Sequence, residues 1–579
     1  MSYQAPVAEM QRLARRLGHD RLAETERFAE ATAETRSAIL TEAAKMAEEV
    51  LAPLNRGSDE SGARLENGVV RTSPGFTDGY GAIAEGGWVG IIADPEHGGM
   101  GLPRSLSVMV NEMMASACLS LSLCPLLSAG QIEALEAHGS EELKAVYLPR
   151  LTSGVWTGTM NLTEPQAGTD VGALRTKAEP AGDGSYRITG QKIWISWGDA
   201  DFAENVVHLV LARLPDAPAG TRGISLFLVP KRLPDAKGRP GAANSVSVVS
   251  LEHKMGLHGS PTCVMAFEGA TGWLVGEENK GLACMFTMMN NARLLVGIEG
   301  VATAEMATQA ALSWSMERVQ GHTVDGSGTI VGHADVRRNL MTMKALTRAA
   351  RAICYDCAFS LDMAHAAEDA EARAHHARRG AFLTPIAKAY GTDTGIEVAN
   401  LAVQVHGGAG YAEDTGIAQY LRDVRITAIY EGTNGVQAMD LVGRKLAGDG
   451  GATALSLLAE ARAAASAAEQ SGQDGSAGAL AEALHRAVDT AEDVTRRLAG
   501  AAEIDRGAAA TPYLKLMALV LGGASLLRGA VEDGGEEETA IARFHLLQLL
   551  PMVEAHGAAA RAEATALYAL DAERLTAVV

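Results

Sequence analysis

The sequence predicts a multidomain α+β fold: an N-terminal α-helical domain at 1–153, a middle antiparallel β domain at 154–280, a helical domain at 281–448 and an appended helical unit at 449–579. Apolar residues recur every three or four positions in the first and the last two regions, which is the period of an amphipathic helix. In the second region, short β-branched or alternating runs are separated by Gly, Pro and Asp turns, which indicates a series of strands. A shift to Gly, Asp and Ala near residue 448 marks the last boundary.

Each region contains segments that predict particular elements. Strands are predicted at 186–196, 206–211, 224–229, 245–251 and 262–267. Helices are predicted at 42–51, 141–151, 384–405 and 435–446. Segment 113–132 has no charged residue, but serines, a proline and a glycine interrupt it, so a buried helix pair is predicted there rather than a membrane span.

Composition excludes several function classes. The chain has 579 residues and a formal net charge of −20, whereas binding to a phosphate backbone needs a concentrated basic face. Six cysteines are too few for a disulfide scaffold. Cys354 and Cys357 form a lone C-x2-C within a predicted helix, with no second pair and no nearby histidine pair, so we expect two buried residues there and no metal. The N-terminus has no apolar signal segment. We therefore expect a soluble, cytoplasmic protein with neither nucleic acid nor membrane as a partner.

Three segments contain residue combinations that packing in a core or a loop alone does not explain. Segment 161–172 (NLTEPQAGTDVG) presents hydroxyl groups and unhindered backbone N–H groups at a strand end, although a plain Gly/Pro turn is also compatible with it. Segment 191–198 (QKIWISWG) places Trp194 and Ser196 on one face of a strand, where they can stack on a flat ring and bond its edge, unless Trp194 is simply core.

The third segment is 404–437. Its glycines allow the backbone to approach a diphosphate closely. Glu431 follows the apolar pair Ile429-Tyr430 and precedes Gly432, so its carboxylate can be partly desolvated. Desolvation favours the protonated form, as a general base for a weakly acidic C–H requires. A carboxylate stabilised at a helix N-terminus is the alternative interpretation.

These segments resemble the ordered signatures of the acyl-CoA dehydrogenase flavoprotein family. The strings NLTEPQAGTDVG, GQKIWIS, VQVHGGAG and IYEGTNGVQ occur in the family's order, and Gln404 and Glu431 are 27 positions apart, as in that family. The likeness covers about 40–448. The start YQAP, the run LAPLNRGSDESGA and the helical extension resemble the branch of the 3-methylmercaptopropionyl-CoA (3-methylthiopropanoyl-CoA) dehydrogenases, which take part in dimethylsulfoniopropionate demethylation, beside fatty acid β-oxidation enzymes.

The resemblance implies an N-terminal helical domain, a β domain and a C-terminal four-helix bundle that bind FAD and acyl-CoA. It implies that Glu431 is the catalytic base for the α-proton while the β-hydride goes to flavin N5. The residues implied to bind FAD are Met160, Leu162, Thr163, Trp194, Ser196 and Thr433, with Arg318, Gln404, Gly407 and Gly408 binding the FAD of a neighbouring subunit. The residues implied to bind the substrate are Thr169, Asn290, Arg293 and Gly432.

The resemblance also implies partners and leaves alternatives open. Electron-transfer flavoprotein is the expected electron acceptor, while an acyl-CoA oxidase that uses oxygen is the alternative. A DNA-binding flavoprotein of the same superfamily is remote, because residues 451–579 contain 10 basic and 18 acidic residues. A homodimer is preferred over a tetramer, since apolar positions on the extension indicate that it covers the bundle. The acyl group stays open between 3-methylthiopropanoyl and short straight chains.

Overall fold

The residues separate into two structural units. In this computed structural model the described residues are 3–471 and 474–576, apart from the side chains of 290 and 474–476. One unit consists of Phe28–Leu295 with Ser2–Val7, and the other of Ala8–Arg27 with Val296–Val579. Helix α1 (Val7–Arg16) opens the second of these.

The unit Phe28–Leu295 begins with helices and continues with strands. Its helices are α2 (Ala33–Lys45), α3 (Ala52–Ser61), α4 (Phe76–Glu85), α5 (Arg104–Ala117), α6 (Leu119–His138) and α7 (Glu141–Thr152). Its strands are β1 (Arg64–Glu66), β2 (Val69–Arg71), β3 (Trp156–Asn161), β4 (Lys177–Pro180), β5 (Tyr186–Ser196), β6 (Asn205–Ala212), β7 (Ser225–Pro230), β8 (Arg232–Pro234), β9 (Pro240–Ala243), β10 (Val246–Leu251) and β11 (Thr262–Val275). The helix pair predicted at 113–132 is confirmed, because α5 ends and α6 begins there.

The main sheet has seven strands in the order β3-β6-β7-β11-β5-β4, with β10 paired to β11. Its core contains Ile188, Ile195, Phe227, Val229 and Phe267, all buried. The sequence predicts an antiparallel domain, and this is wrong for one pair, because β3 and β6 run parallel with Trp156 opposite Asn205. Parallel neighbours need a long crossover, and the chain that leaves β3 forms β4 and β5 before it returns as β6.

The second unit is helical. Its long helices are the later part of α8 (Gly281–Glu317), α9 (Ala334–Ala366) and α10 (Ala370–His406), followed by the short helices α11 (Gly408–Tyr411), α12 (Ile417–Val424) and α13 (Asn434–Asp440). The extension consists of α14 (Ala452–Gln470), α15 (Asp474–Ala499), α16 (Glu503–Glu532), α17 (Glu536–Phe544), α18 (Met552–Arg561) and α19 (Ala572–Thr576).

The extension packs on the bundle helices. Gly522 of α16 lies against α9, where a methyl group would come within 2.7 Å of the Ala349 side chain. Ion pairs add to the contact: Arg379 of α10 lies 2.6 Å from Glu460 of α14. Among the residues that the structure describes, helices α8 and α16 each contain an apolar window long enough to cross a membrane, and these windows are 71% and 67% buried within the protein.

Candidate active site

Glu431 lies in the loop before α13 and has an unusual backbone conformation. Its φ is 54°, in the left-handed region, and the next residue, Gly432, has φ 85°. A non-glycine residue in this region costs about 1–2 kcal/mol, so the surrounding structure has to hold it there. The side chain is half-buried. Thr433 is the N-cap of α13, so Glu431 lies two residues before the N-cap, outside the first helical turn.

Side chains from two helices fix this loop. Gln437 of α13 donates its Nε2 to the Glu431 carbonyl oxygen at 3.2 Å. Lys388 of α10, which is fully buried, donates its Nζ to the Gly432 carbonyl oxygen at 2.8 Å and to Asn434 Oδ1 at 3.0 Å. The carbonyl groups of Glu431 and Gly432 are therefore both hydrogen-bonded to side chains on helices. Such support keeps a reactive side chain in one orientation.

A second carboxyl group, Glu299 of α8, is buried beside the same loop. It accepts a hydrogen bond at Oε2 from the hydroxyl of Tyr430, the residue before Glu431. Burial raises the pKa of Glu299 to about 8, although the Tyr430 hydrogen bond and the Lys388 charge oppose the shift. Burial also raises the pKa of Tyr430 well above its usual value. Glu299 is thus mostly protonated at neutral pH.

The candidates for binding a diphosphate lie together at one end of the helical unit. Gly407 ends α10 with φ 63°, and a methyl group on Gly407 or Gly408 would meet no atom within 4 Å. Trp314 of α8 stacks on His406 at 4.9 Å and lies beneath the Arg318 guanidinium at 6.0 Å. This stack brings the ends of α8 and α10 together, so Arg318 and the exposed Gln404, Gly407 and Gly408 share one open surface.

In the other unit, a β-bulge directs Trp194 outward. Ile193 and Trp194 of β5 oppose the single Val264 of β11, and Trp194 has φ 60°. Its side chain is 56% exposed, whereas Ile195 is buried, so the interpretation of Trp194 as a core residue is wrong. Ser196 is half-buried two positions further on, and Trp197 is buried with its Nε1 donating to Ser120 O at 3.2 Å. An extra residue in a strand re-aims side chains in this way.

The chain end of β3 is anchored to β5 by a buried ion pair. Lys192 Nζ donates to Leu162 O at 2.9 Å and lies 2.8 Å from Glu164 Oε1, with the side chains 0% and 4% exposed. The backbone N–H of Ile193 donates to Thr163 O at 3.0 Å. Burial alone would raise the pKa of Glu164, but the Lys192 charge and the hydrogen bonds outweigh burial and lower this pKa to about 2. Burial lowers the pKa of Lys192 to about 8. Leu162 and Thr163 are thereby held in place.

The remaining candidates have separate surroundings. Met160 is buried at the end of β3, and Thr169 is exposed on the segment after it. Arg293 is buried in α8 with its guanidinium 5.7 Å from the Phe286 ring. The side chain of Asn290 lies outside the described ones. The structure therefore brings the candidates together in three groups. In the unit Phe28–Leu295 the group consists of Leu162, Thr163, Trp194 and Ser196. In the helical unit one group consists of Glu431, Gly432 and Thr433, and the other of Arg318, Gln404, Gly407 and Gly408.

Four family models match the chain in succession. They describe the acyl-CoA dehydrogenase N-terminal domain at residues 33–155, middle domain at 159–270 and C-terminal domain at 279–446, and an acetyl-CoA dehydrogenase C-terminal-like domain at 457–571. The chain belongs to the acyl-CoA dehydrogenase family. The predicted family and fold class are confirmed, with helical domains before and after the β domain along the chain and extra C-terminal helices.

Individual acyl-CoA dehydrogenases support this placement. The 3-methylmercaptopropionyl-CoA dehydrogenase of Ruegeria pomeroyi is 47% identical over 459 residues, which are 78% of either chain. A butyryl-CoA dehydrogenase of Syntrophomonas wolfei is 37% identical over 69% of this chain and 68% of its own. The crystal structure of an acyl-CoA dehydrogenase complexed with FAD from Bacillus anthracis has the same fold, with a TM-score of 0.72 at 22% identity over 92% of this chain and 88% of its own.

The protein is accordingly a flavin-dependent acyl-CoA dehydrogenase, an oxidoreductase whose substrate is an acyl-CoA thioester. Its own groups fit FAD. An exposed indole with neighbouring hydroxyl groups suits a flat ring with polar edges, and open glycines beside a guanidinium suit a diphosphate.

Three buried charged residues that support these sites are not among the candidates predicted from the sequence. Lys192, Lys388 and Glu299 are each 1% exposed or less. Each is the one charged residue in a short, largely apolar stretch of its strand or helix (KIWI, TPIAKAY, LLVGIEGVA). That pattern was a usable signal, because a charge is almost never fully buried unless it is paired or hydrogen-bonded.

Proposed function

We propose that this acyl-CoA dehydrogenase desaturates 3-methylthiopropanoyl-CoA or a similarly short acyl-CoA, with Glu431 as the catalytic base. The observation that carries the assignment of the base is the left-handed, doubly anchored loop that presents the half-buried Glu431 carboxylate. The acyl group is inferred from the 47% identity to the Ruegeria pomeroyi enzyme, with butyryl-CoA as the next candidate.

The chemistry assigned to Glu431 is removal of the α-proton. The α-C–H of a thioester is a weak acid, so a carboxylate removes its proton only when charge on the thioester oxygen is stabilised by fixed donors in a dry site. The Glu431 backbone N–H is proposed as one such donor, and Gly432 as part of the thioester pocket. FAD, when bound, supplies the acceptor for the β-hydride. Fixed positioning of the base then contributes much of the rate.

We assign the other residues to the cofactor and the substrate. Trp194 would cover the flavin ring, Ser196 and Thr163 would bond its edges, and Met160 and Leu162 would contact its pyrimidine side. Thr433 uses its hydroxyl oxygen to accept the Val436 N–H at 3.2 Å, which leaves the hydroxyl proton for a phosphate. Thr169, Asn290 and Arg293 are proposed on the substrate side.

The electron acceptor is proposed to be electron-transfer flavoprotein. The similar proteins named above are called dehydrogenases, which favours this acceptor over oxygen. Six buried free cysteines are compatible with the reducing cytoplasm that we propose as the location. Dimethylsulfoniopropionate demethylation is the process that the substrate would imply, and fatty acid β-oxidation is the process for a straight short chain.

The substrate assignment is tested by anaerobic bleaching of the purified yellow protein with a panel of acyl-CoAs. We expect 3-methylthiopropanoyl-CoA and C4 to C6 acyl-CoAs to reduce the flavin at least about tenfold faster than C12 or C16, since each mismatched group in a pocket changes binding by about 1–3 kcal/mol. The same protein should turn over with an artificial dye and not with dissolved oxygen. Preference for a long or aryl chain contradicts the proposed substrate, and release of peroxide contradicts the proposed acceptor.

A homodimer is proposed as the assembly, in which Arg318, Gln404, Gly407 and Gly408 of one subunit contact the FAD of the other. We expect sedimentation equilibrium to give twice the mass of the chain. We expect Gln404→Ala to reduce bound FAD by about half or more, because a lost hydrogen bond to a charged phosphate costs about 1.5–3 kcal/mol. A tetramer, or full FAD content in this variant, would contradict these expectations.

A further inference from the structure

Glu299 is a buried carboxyl group that takes no part in the proposed reaction. Its side chain is 1% exposed, on the part of α8 that lies in the helical unit. The Tyr430 hydroxyl donates to Oε2, while Oε1 is buried and has no hydrogen-bond partner among the residues that the structure describes. A buried ionised carboxylate with one oxygen unpaired is far more costly than a neutral carboxylic acid.

Close packing of two helices brings Glu299 to the loop. Around it, α8 has Gly297 and Gly300, which lie against α10 so closely that a methyl group on Gly300 would come within 2.2 Å of the Gly391 carbonyl oxygen. A methyl group on Gly391 would lie 2.4 Å from the Gly297 carbonyl oxygen. Glycines are required at this crossing because the backbones touch. The crossing places Glu299 near Lys388 of α10, which in turn holds the Gly432 carbonyl group.

The groups that face Glu299 come from both neighbouring elements. The loop contributes Tyr430, by its hydrogen bond, and Glu431, by its charge, while α10 contributes the Lys388 ammonium. Burial is the largest influence and keeps the pKa of Glu299 near 8, and the negative charge of Glu431 acts in the same direction. Two carboxyl groups that interact in this way do not both ionise readily, so one carries the charge and the other the proton.

We propose that Glu299 is a positioning residue for Glu431: through Tyr430 it fixes the loop that carries the base, and by staying neutral it leaves Glu431 as the charged carboxylate of the pair. This inference rests on the proposed role of Glu431. Glu299 itself touches neither the substrate nor the flavin in this account. Tyr430 is the physical link, because it is bonded to Glu431 in the chain and hydrogen-bonded to Glu299 in space.

The proposal makes the pH dependence of the holoenzyme informative. When Glu299 ionises near pH 8, its charge increases the proton affinity of Glu431, which becomes a stronger base. The anaerobic rate of flavin reduction in the wild type should therefore rise in a step near pH 8. The expected increase is about threefold if the Glu299 charge strengthens Glu431 as a base by about one pKa unit, because the rate of proton transfer follows about half of a change in basicity. Glu299→Gln keeps the size and the acceptor oxygen but cannot ionise, so it should lack the step and keep the rate at pH 7 within about threefold.

A second measurement is independent of catalysis. The pKa of Glu299 is higher in the folded protein than in the unfolded chain. Protonated Glu299 therefore contributes fully to the free energy of unfolding at a pH below its pKa in the unfolded chain, and this contribution is lost as the pH rises through about 8. The melting temperature of Glu299→Gln relative to the wild type should accordingly increase between pH 5 and pH 9, by about 2 °C or more. The matched control is Glu397→Gln on α10, an exposed carboxyl group facing Lys515, which should leave the step in the rate near pH 8 unchanged.

The link through Tyr430 has its own variant. Tyr430→Phe removes only the hydroxyl group that bonds Glu299 and should slow flavin reduction at pH 7 by about tenfold or more, with FAD content unchanged, because a displaced reactive group loses rate steeply. Tyr568→Phe, at a residue 66% exposed in the same unit, is the control and should have no effect.

The outcomes separate the two proposals. If Glu431→Gln is inactive but Glu299→Gln keeps both the step near pH 8 and the wild-type pH dependence of melting, the role of Glu299 is wrong while that of Glu431 stands. If Glu431→Gln is active, the proposed base is wrong, and the positioning role fails with it. If Glu299→Gln does not fold, Tyr430→Phe decides: a rate equal to that of the wild type overturns the proposal.

Discussion

Glu431→Gln is expected to reduce flavin reduction by the substrate by at least about 100-fold, the scale of a lost general base. Glutamine has nearly the same shape and can adopt the left-handed backbone at φ 54° as readily as glutamate, so the loop should stay in place. The variant should keep its FAD and its affinity for acyl-CoA. Stopped-flow bleaching under anaerobic conditions, with FAD content taken from the absorbance spectrum, measures both properties.

The matched control is Glu413→Gln, which lies in the same unit. Its carboxylate is 60% exposed and pairs with Arg422 at 3.1 Å, an exposed contact that contributes little. We expect the rate to change by less than about twofold there, because Glu413 is not among the groups that hold the Glu431 loop. A rate for Glu431→Gln within about tenfold of the wild type, with FAD bound, would reject Glu431 as the base.

Lys192→Met is expected to destabilise the unit Phe28–Leu295 by about 3–5 kcal/mol, because it leaves the Glu164 carboxylate buried without its counter-ion. Glu164 would keep its other donors, which are the backbone N–H groups of Arg175 and Thr176 at 2.7 and 3.0 Å, the Thr176 hydroxyl at 2.6 Å and the Gln166 side-chain amide at 2.7 Å. The Leu162 carbonyl group would lose its partner, so FAD binding at this end of β3 should weaken too. Urea unfolding followed by circular dichroism gives the free energy, and FAD retention is read from the same preparations.

The pH dependence of this variant has a definite sign. The pKa of Glu164 is about 2 in the folded protein, below its value in the unfolded chain, so its contribution to stability is present above the unfolded value and is lost as pH falls toward 2. Without Lys192, burial dominates and the loss should begin at a higher pH. Lys45→Met, at an exposed lysine 2.6 Å from Glu42, is the control and should leave the free energy of unfolding nearly unchanged. A change of that small size in Lys192→Met would contradict the argument.

Much of the fold could be predicted because its local patterns are strong. Short β-branched or alternating runs predicted β5, β6, β7, β10 and the first part of β11. The uncharged segment 113–132 predicted a helix pair because its serines and proline make a poor membrane span. The parallel pairing of β3 with β6 could not be predicted, since strand direction depends on which distant strands become neighbours. The bulge at Trp194 could not be predicted either, because it arises from the register against β11.

The sequence by itself determined the family, the order of the domains and the identity of the candidate base, because these depend on short ordered strings in which Glu431 has a fixed place. Only the tertiary structure showed what surrounds that base. Lys388, Glu299 and Gln437 are distant from one another in the chain and meet at the loop through helix packing and a crossing of glycines. Burial and charge act through space rather than along the chain, so the partners and protonation of a buried group follow from its neighbours in the fold.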